Sequence, residues 1–463
     1  MYLLLGEALV TGRGYTELWR PVPVAHTQYP PVFPLAVAGV KLLFGTGSIL
    51  PVKLLVLLCG FGAFLLALRF FRQLSLPVTE PGLVLLSVPV LLVLQGQVLT
   101  EVPFLFVSLA ALLLLSKPRP QSLEVWVGIL LVIVGLGLRT SGVALVAAAA
   151  VSLAKQRRWA PLIVLVLGSL GFLVAWQARA TVLGGQSYLQ LLLARDPYVQ
   201  EFGRAGPLEL LARLGTNALR YAFVVLPATL VPLAAAPVLR EMVGAVIVLL
   251  VVLGVRARWR SASVPEYYAG AALLVLAAWP QVWSGDRFLV PVLPLLLMYL
   301  WCGARSLANR LRHPVLARVI AGSLVAANLL HLAPMVPRRV VSNVAWLRGD
   351  GLAGYEPEWR SYFTAIDWVG KNTSDKSVVM ARKPEFVYLL ARRRAFCYPF
   401  TNDRSAVLEA LLRSDYVIFD NFRWSRTTQY FLNPVLQDNR ELFRIAYVTG
   451  RPEFFVLQTA KRP

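Results

Sequence analysis

Long apolar runs closed by short basic clusters limit what this chain can fold into more than any other feature. Leu50–Leu68 ends at Arg69-Phe70-Phe71-Arg72, and Val143–Leu153 returns to Lys155, Arg157 and Arg158. Val243–Val255 ends at Arg256-Ala257-Arg258-Trp259-Arg260, and Phe288–Cys302 returns to Arg305, Arg310 and Arg312. A backbone crossing hydrocarbon must satisfy its own polar groups, so such runs read as membrane helices. The basic clusters mark their cytoplasmic ends. With 57% hydrophobic residues among 463 and a mean hydropathy of +0.63, a soluble globular protein is excluded. The net charge of +22 sits mostly in those clusters, so no nucleic-acid partner is implied. The expected partner is the lipid bilayer, and the expected place is the inner or plasma membrane, crossed several times.

Placing all basic clusters on one side predicts about nine full spans. Two further apolar segments, Val32–Phe44 and Tyr221–Leu239, are then interfacial or re-entrant. Leu83–Leu94 and Phe104–Leu115 form a hairpin whose ends carry Lys117 and Arg119 and whose polar turn carries Glu101. Val125–Leu138 runs out to Arg139-Thr140-Ser141-Gly142. By this parity one outer face collects the Glu101 turn, the Arg139 turn, Asp286-Arg287 and two loops, 1–31 and 177–220. Tyr188–Leu193 and Leu208–Leu214 are expected as surface helices within the second loop.

The first outer loop is polar and aromatic, with Trp19, Arg20, His26 and Tyr29. Pro30, Pro31 and Pro34 forbid a regular helix there and fix the approach to the apolar segment that follows. From about Pro337 the composition becomes that of a soluble domain. Trp359–Val369 has apolar residues at helical spacing. Ser377–Met380, Tyr416–Phe419, Ile445–Val448 and Phe454–Leu457 read as strands. The division is therefore 1–336, a multi-span membrane domain, and 337–463, a small extracytoplasmic α/β domain.

Cys59, Cys302 and Cys397 have neither metal-ligand spacing nor a disulfide framework. No Walker loop, dinucleotide glycine pattern or nucleophile elbow is present. Asn372-Thr373-Ser374 matches a glycosylation sequon, for which a plain loop is the simpler reading. Glu101, between apolar runs, is either a functional carboxylate or a wetted rim residue. Arg139 is either a phosphate ligand or a snorkelling interfacial arginine. Arg287 can grip a phosphate with its fork. Asp286 is its ion partner or a ligand to a divalent cation, the one cofactor the reading admits. His26 can move protons or make an ordinary hydrogen bond. Lys383-Pro384-Glu385 is a loop that reaches back to the membrane surface, or plain strand-to-helix punctuation.

In this order, Tyr29-Pro30-Pro31-Val32-Phe33-Pro34, Thr100-Glu101-Val102-Pro103, Arg139 and Asp286-Arg287-Phe288 with Pro291 and Pro294 resemble the GT-C superfamily of integral-membrane glycosyltransferases. The resemblance is to the bacterial branch that includes protein mannosyltransferase-like and lipid A aminoarabinose transferases, and it covers nearly the whole chain. It implies a polyprenyl-phosphate sugar donor, an acceptor that is a lipid, glycan or protein, and inversion at the anomeric carbon. Tyr29, His26, Arg139, Asp286, Arg287 and Lys383 become substrate-binding candidates, with Arg287 approaching the lipid phosphate. The family places a first helix and an aspartate ahead of a stretch like 2–15. Met1 stands where they would end, so the chain is expected to begin inside that pattern, without the main catalytic carboxylate. Glu7, the carboxylate remaining on that stretch, and Glu101 are then the catalytic candidates. A lipid-linked sugar transporter or a non-catalytic scaffold uses the same binding groups, and both remain open at this level.

Overall fold

The computed structural model describes residues 1–117, 121–185, 188–232 and 236–460. The basic end placed at Arg119 lies outside them. Helices dominate up to Leu347, and a mixed five-stranded sheet with flanking helices follows.

Among the described residues five helices are long and apolar enough to cross a membrane: Leu50–Gln73, Trp159–Val182, Pro237–Ser261, Asp286–Arg310 and Leu316–Leu347. This is fewer than the hydropathy pattern expects. Glu101–Leu115, Ser122–Leu138, Val143–Lys155 and Val264–Ala278 have 15, 17, 13 and 15 residues. At 1.5 Å per residue they fall short of a full hydrocarbon thickness. Glu101–Leu115 and Ser122–Leu138 stop where the central cavity begins, which accounts for their length. Val32–Phe44, a helix of 13 residues, is also too short to cross alone.

The expected element Leu83–Leu94 is two helices, Thr79–Ser87 and Pro89–Gln95, broken at the extended Val88. The residue before proline disfavours helical backbone, and Pro89 opens the second helix instead. Ser87 returns its hydroxyl to the Val84 carbonyl and accepts from Asn328 at 3.3 Å, which ties the break to Leu316–Leu332.

Tyr221–Leu239 is likewise not one element. Pro207–Arg220 continues through a wide turn, Tyr221–Val225, into Leu226–Leu230, and a new helix starts at Pro237. The surface helix expected at Leu208–Leu214 is the start of this longer rod. No element boundary falls at Pro337. Met335–Leu347 carries Pro337 in its first turn, where the missing amide hydrogen costs nothing, and prolongs the Leu316–Leu332 rod.

The long helices differ sharply in surroundings. Asp286–Arg310 is 83% buried over its apolar window, against 11% for Trp159–Val182. The first is therefore the central post and the second faces lipid. The post packs backbone to backbone on Pro237–Arg258. A Cβ on Gly254 would lie 1.9 Å from the Tyr299 carbonyl oxygen, and one on Gly303 would lie 1.8 Å from that of Leu250.

In the C-terminal domain, β1 (Val378–Met380), β2 (Arg394–Phe396), β3 (Tyr416–Phe419), β4 (Phe443–Val448) and β5 (Phe455–Thr459) pair in the order β2-β1-β3-β5-β4. β1 is parallel to β2 and β3, while β5 is antiparallel to β3 and β4. Pro357–Asn372 covers one face through Tyr362, Ile366 and Val369. Arg404–Leu412 and Asn433–Asp438 cover the other through Val407, Leu411 and Val435. β2 is illegible in the sequence because it opens on the last residue of Arg392-Arg393-Arg394, and the partly buried guanidinium of Arg394 is spent on the carbonyls of Leu18 and Arg20. The Ala395 amide also donates to the Trp19 carbonyl at 2.6 Å, so the N-terminal loop continues the edge of β2.

Asp420, at the end of β3, is 1% exposed, and one of its carboxylate oxygens has no partner. Burial pushes its pKa up to about 6, with the Thr428 hydroxyl bond acting against it. A folded-state value above the unfolded one means that the folded form binds the extra proton. Stability is therefore expected to fall as pH rises from about 4 to about 6, by roughly 2–3 kcal/mol, and to level off above that. Thermal melts of Asp420→Asn should lack this slope. An unchanged slope would place the titration elsewhere.

Candidate functional site

A cavity of about 880 Å³ opens where the short helices stop, between the membrane helices and the C-terminal domain. Its charged wall comes from four elements. Glu101 opens the helix Glu101–Leu115, where a carboxylate suits the positive end of the helix dipole. Arg139 is the extended residue that caps Ser122–Leu138. The turn that follows folds tightly only because residue 142 is glycine: a Cβ there would sit 2.7 Å from the Leu136 Cα. Arg287 lies in the first turn of Asp286–Arg310, and Lys53 projects from the first turn of Leu50–Gln73.

Glu101 Oε1 lies 2.8 Å from Arg139 Nη1 and 3.8 Å from Arg287 Nε. Arg139 also donates to the Thr100 hydroxyl at 3.2 Å. Both guanidiniums lie over the Phe288 ring, at 5.5 and 4.7 Å from its centroid. Three residues that are far apart in sequence thus form one cluster. The side chains of Glu101 and Arg139 are 4% and 13% exposed, whereas that of Arg287 is 48% exposed. With Lys53, the wall carries three cations and one carboxylate. Lys53 escapes sequence reading because it sits one turn inside an apolar run, where it looks like a snorkelling lysine.

The remaining wall is aromatic. Tyr29 packs 5.1 Å from Tyr2, and Trp279 lies 5.9 Å from Trp283. Tyr188, Tyr198 and Tyr268 complete the middle, with Trp359 and Phe386 of the C-terminal domain above them. Trp359 opens the run read as an amphipathic helix, and Phe386 directly follows Lys383-Pro384-Glu385.

The other sequence candidates lie off this wall. His26 is buried. Its Nδ1 lies 2.9 Å from Glu17 and its Nε2 accepts the Tyr29 amide at 3.0 Å. Burial holds its pKa below the ordinary value while Glu17 works against that. Both ring nitrogens thus shape the loop that presents Tyr29. Glu7 is 2.7 Å from Arg392 and 3.3 Å from Lys41, joining the N-terminal helix, Val32–Phe44 and the C-terminal domain. Asp286 accepts the Arg287 amide at 2.8 Å and is exposed. Lys383 belongs to the C-terminal domain, 5.5 Å from the Trp424 ring. Among the described residues no group of three His, Cys, Asp or Glu side chains could hold a metal ion. Glu101 is already neutralised by two guanidiniums, so the cluster does not fit a divalent cation.

By sequence the chain matches no family model and no curated protein. Its fold does have counterparts. The aminoarabinose transferase ArnT from Cupriavidus metallidurans, solved bound to undecaprenyl phosphate, superposes over 100% of this chain and 94% of its own, with a TM-score of 0.52 and 12% identity. The oligosaccharyltransferase AglB from Archaeoglobus fulgidus, in complex with an inhibitory peptide and a dolichol-phosphate, matches 99% of this chain and 69% of its own, with a TM-score of 0.53 and 13% identity. The Archaeoglobus fulgidus oligosaccharyltransferase solved with zinc and sulfate matches at a TM-score of 0.52 and 11% identity, over 99% of this chain and 68% of that one. The chain therefore has the GT-C fold: a polytopic helical membrane domain followed by a small mixed-sheet domain.

Proposed function

We propose that this chain is a GT-C-type glycosyltransferase that receives a sugar on a polyprenyl phosphate and passes it, with inversion, to an acceptor at the cavity. The observation that carries this reading is the pair of guanidiniums, Arg139 and Arg287, gathered at Glu101 in an aromatic, apolar cavity that Lys53 also lines. A polyprenyl phosphate has that same division, a dianionic head on a hydrocarbon chain. The solved GT-C structures that hold undecaprenyl phosphate or a dolichol-phosphate support the choice of lipid.

In the transfer the acceptor hydroxyl oxygen bonds to the anomeric carbon, and the bond from that carbon to the phosphate oxygen breaks with its electron pair. The growing negative charge on the phosphate needs fixed cations. Arg287 is placed to supply one, being half-exposed and only loosely held by Glu101. Arg139 stays with Glu101 and holds the carboxylate in place. Glu101 is the one carboxylate among the described residues lining the cavity, and so the one there that can take the hydroxyl proton. It gains basicity when Arg287 turns to the phosphate.

The test is photocrosslinking of a benzophenone polyprenyl phosphate in membranes, together with transfer of radiolabelled sugar from polyprenyl-phosphate donors. Arg287→Gln is expected to reduce crosslinking about 10- to 100-fold, the cost of one charge-assisted phosphate contact. Crosslinking that is indifferent to Arg287→Gln and to competing undecaprenyl phosphate would sink the reading. Crosslinking that depends on Arg287, with labelled lipid moved across the membrane and no sugar transferred, would favour a transporter.

A further inference from the structure

We infer that the C-terminal domain carries a second binding site, for an acidic saccharide, built on Arg382, Lys383 and Trp424. The chain runs from β1 to β2 on one side and then to β3 on the other, so the direction of sheet growth reverses at β1. In sheets of parallel strands such a reversal leaves a crevice at the carboxyl ends of the strands, where ligands bind. Arg382 and Lys383 directly follow β1, and the loop 420–428 directly follows β3.

The crevice is organised for a ligand that it does not itself supply. Arg382 gives its Nε to the Thr427 hydroxyl at 3.0 Å, and its guanidinium lies 4.7 Å from the Phe400 centroid and 5.7 Å from that of Trp424. Lys383 Nζ lies over the same indole. Neither cation pairs with a carboxylate among the described residues. Trp424 is 49% exposed, a large apolar face kept in water. The loop beneath is pinned by hydroxyls: Tyr398 bonds Thr427 at 3.0 Å and Thr428 at 2.7 Å, and Thr428 donates to the buried Asp420 at 2.8 Å.

An exposed aromatic face beside two unpaired cations matches a pyranose ring that bears a carboxylate or phosphate. The ring stacks its C–H face on the indole, and the acid meets the guanidinium and ammonium. The site adjoins the cavity through its aromatic rings: Trp359, which lines the cavity, stacks on Trp424 at 6.3 Å and 13°. A glycan held there would extend toward the transfer cluster, as an acceptor. That role rests on the transferase reading, whereas the binding does not.

The experiment is calorimetric titration of the full detergent-solubilised chain with trigalacturonic acid and with maltotriose. Trigalacturonic acid is expected to bind at least about tenfold more tightly than maltotriose, and Arg382→Gln and Trp424→Ala are each expected to weaken it about tenfold. Lys383→Gln, whose side chain makes no hydrogen bond, should weaken it several-fold and guards against misfolding of the other two. Equal binding of both sugars, or trigalacturonic acid binding unaltered in all three variants, overturns the inference. Polyprenyl-phosphate crosslinking, measured in parallel, should be unchanged in these variants. Its absence from the parent chain would count against the transferase reading and leave the saccharide result standing.

Discussion

Glu101→Ala is expected to destabilise the membrane domain by about 3–5 kcal/mol, the usual consequence of leaving a buried charge without its partner. Arg139 is 13% exposed and its guanidinium is 2.8 Å from Glu101. Without that carboxylate it keeps, among the described residues, the Thr100 hydroxyl and the face of Phe288. Arg287, 48% exposed, can turn to water and adds little to the loss. Thermal inactivation of the solubilised protein measures the effect. The double variant Glu101→Ala, Arg139→Met should recover much of the stability, because it removes both charges together. A single variant as stable as the parent would mean that the cavity hydrates Arg139 freely, and Glu101 would then lose its role as the anchor of the cationic wall.

The second large effect is steric. Gly303→Ala is expected to cost about 3 kcal/mol or more, at the upper end of overpacking penalties. Its new methyl group would fall 1.8 Å from the Leu250 carbonyl oxygen, and a helix backbone has no alternative rotamer to offer. Pro237–Arg258 and Leu293–Arg310 would have to separate along their contact. Since the second of these continues from Arg287, the cationic wall would shift with it. Gly270→Ala is the control: nothing lies within 4 Å of its would-be Cβ, so the better helix propensity of alanine should leave the protein as stable or slightly more stable. Melting temperatures of the two variants decide the matter, and equal values would show that the two helices are not packed as closely as described.

Local patterns carry some elements of this fold and not others. Helix Pro357–Asn372 and strands β1, β3, β4 and β5 are legible to within a few residues, because the helix repeats its apolar residues at helical spacing and each strand is a short run rich in β-branched and aromatic residues. β2 is not, since its Arg394 is satisfied by backbone carbonyls of the N-terminal loop, a distant partner that no window of sequence contains. The break at Val88-Pro89 and the continuity of Met335–Leu347 both turn on proline, which interrupts an element from within and is harmless in its first turn. The same residue type gives opposite outcomes according to register.

Composition and the spacing of basic clusters determined by themselves that this is a multi-span membrane protein with a small α/β domain at its end, because transfer free energy and hydrogen-bond satisfaction are properties of short segments. Charged residues at the ends of apolar runs marked Glu101, Arg139 and Arg287 singly, since each is costly where it stands. Only the tertiary structure decided that these three meet, that Lys53 lines the same cavity, and that Glu7 and His26 bind other partners. Coulomb and packing energies depend on distances between segments, and helices ending at a common depth bring together residues that are more than a hundred positions apart.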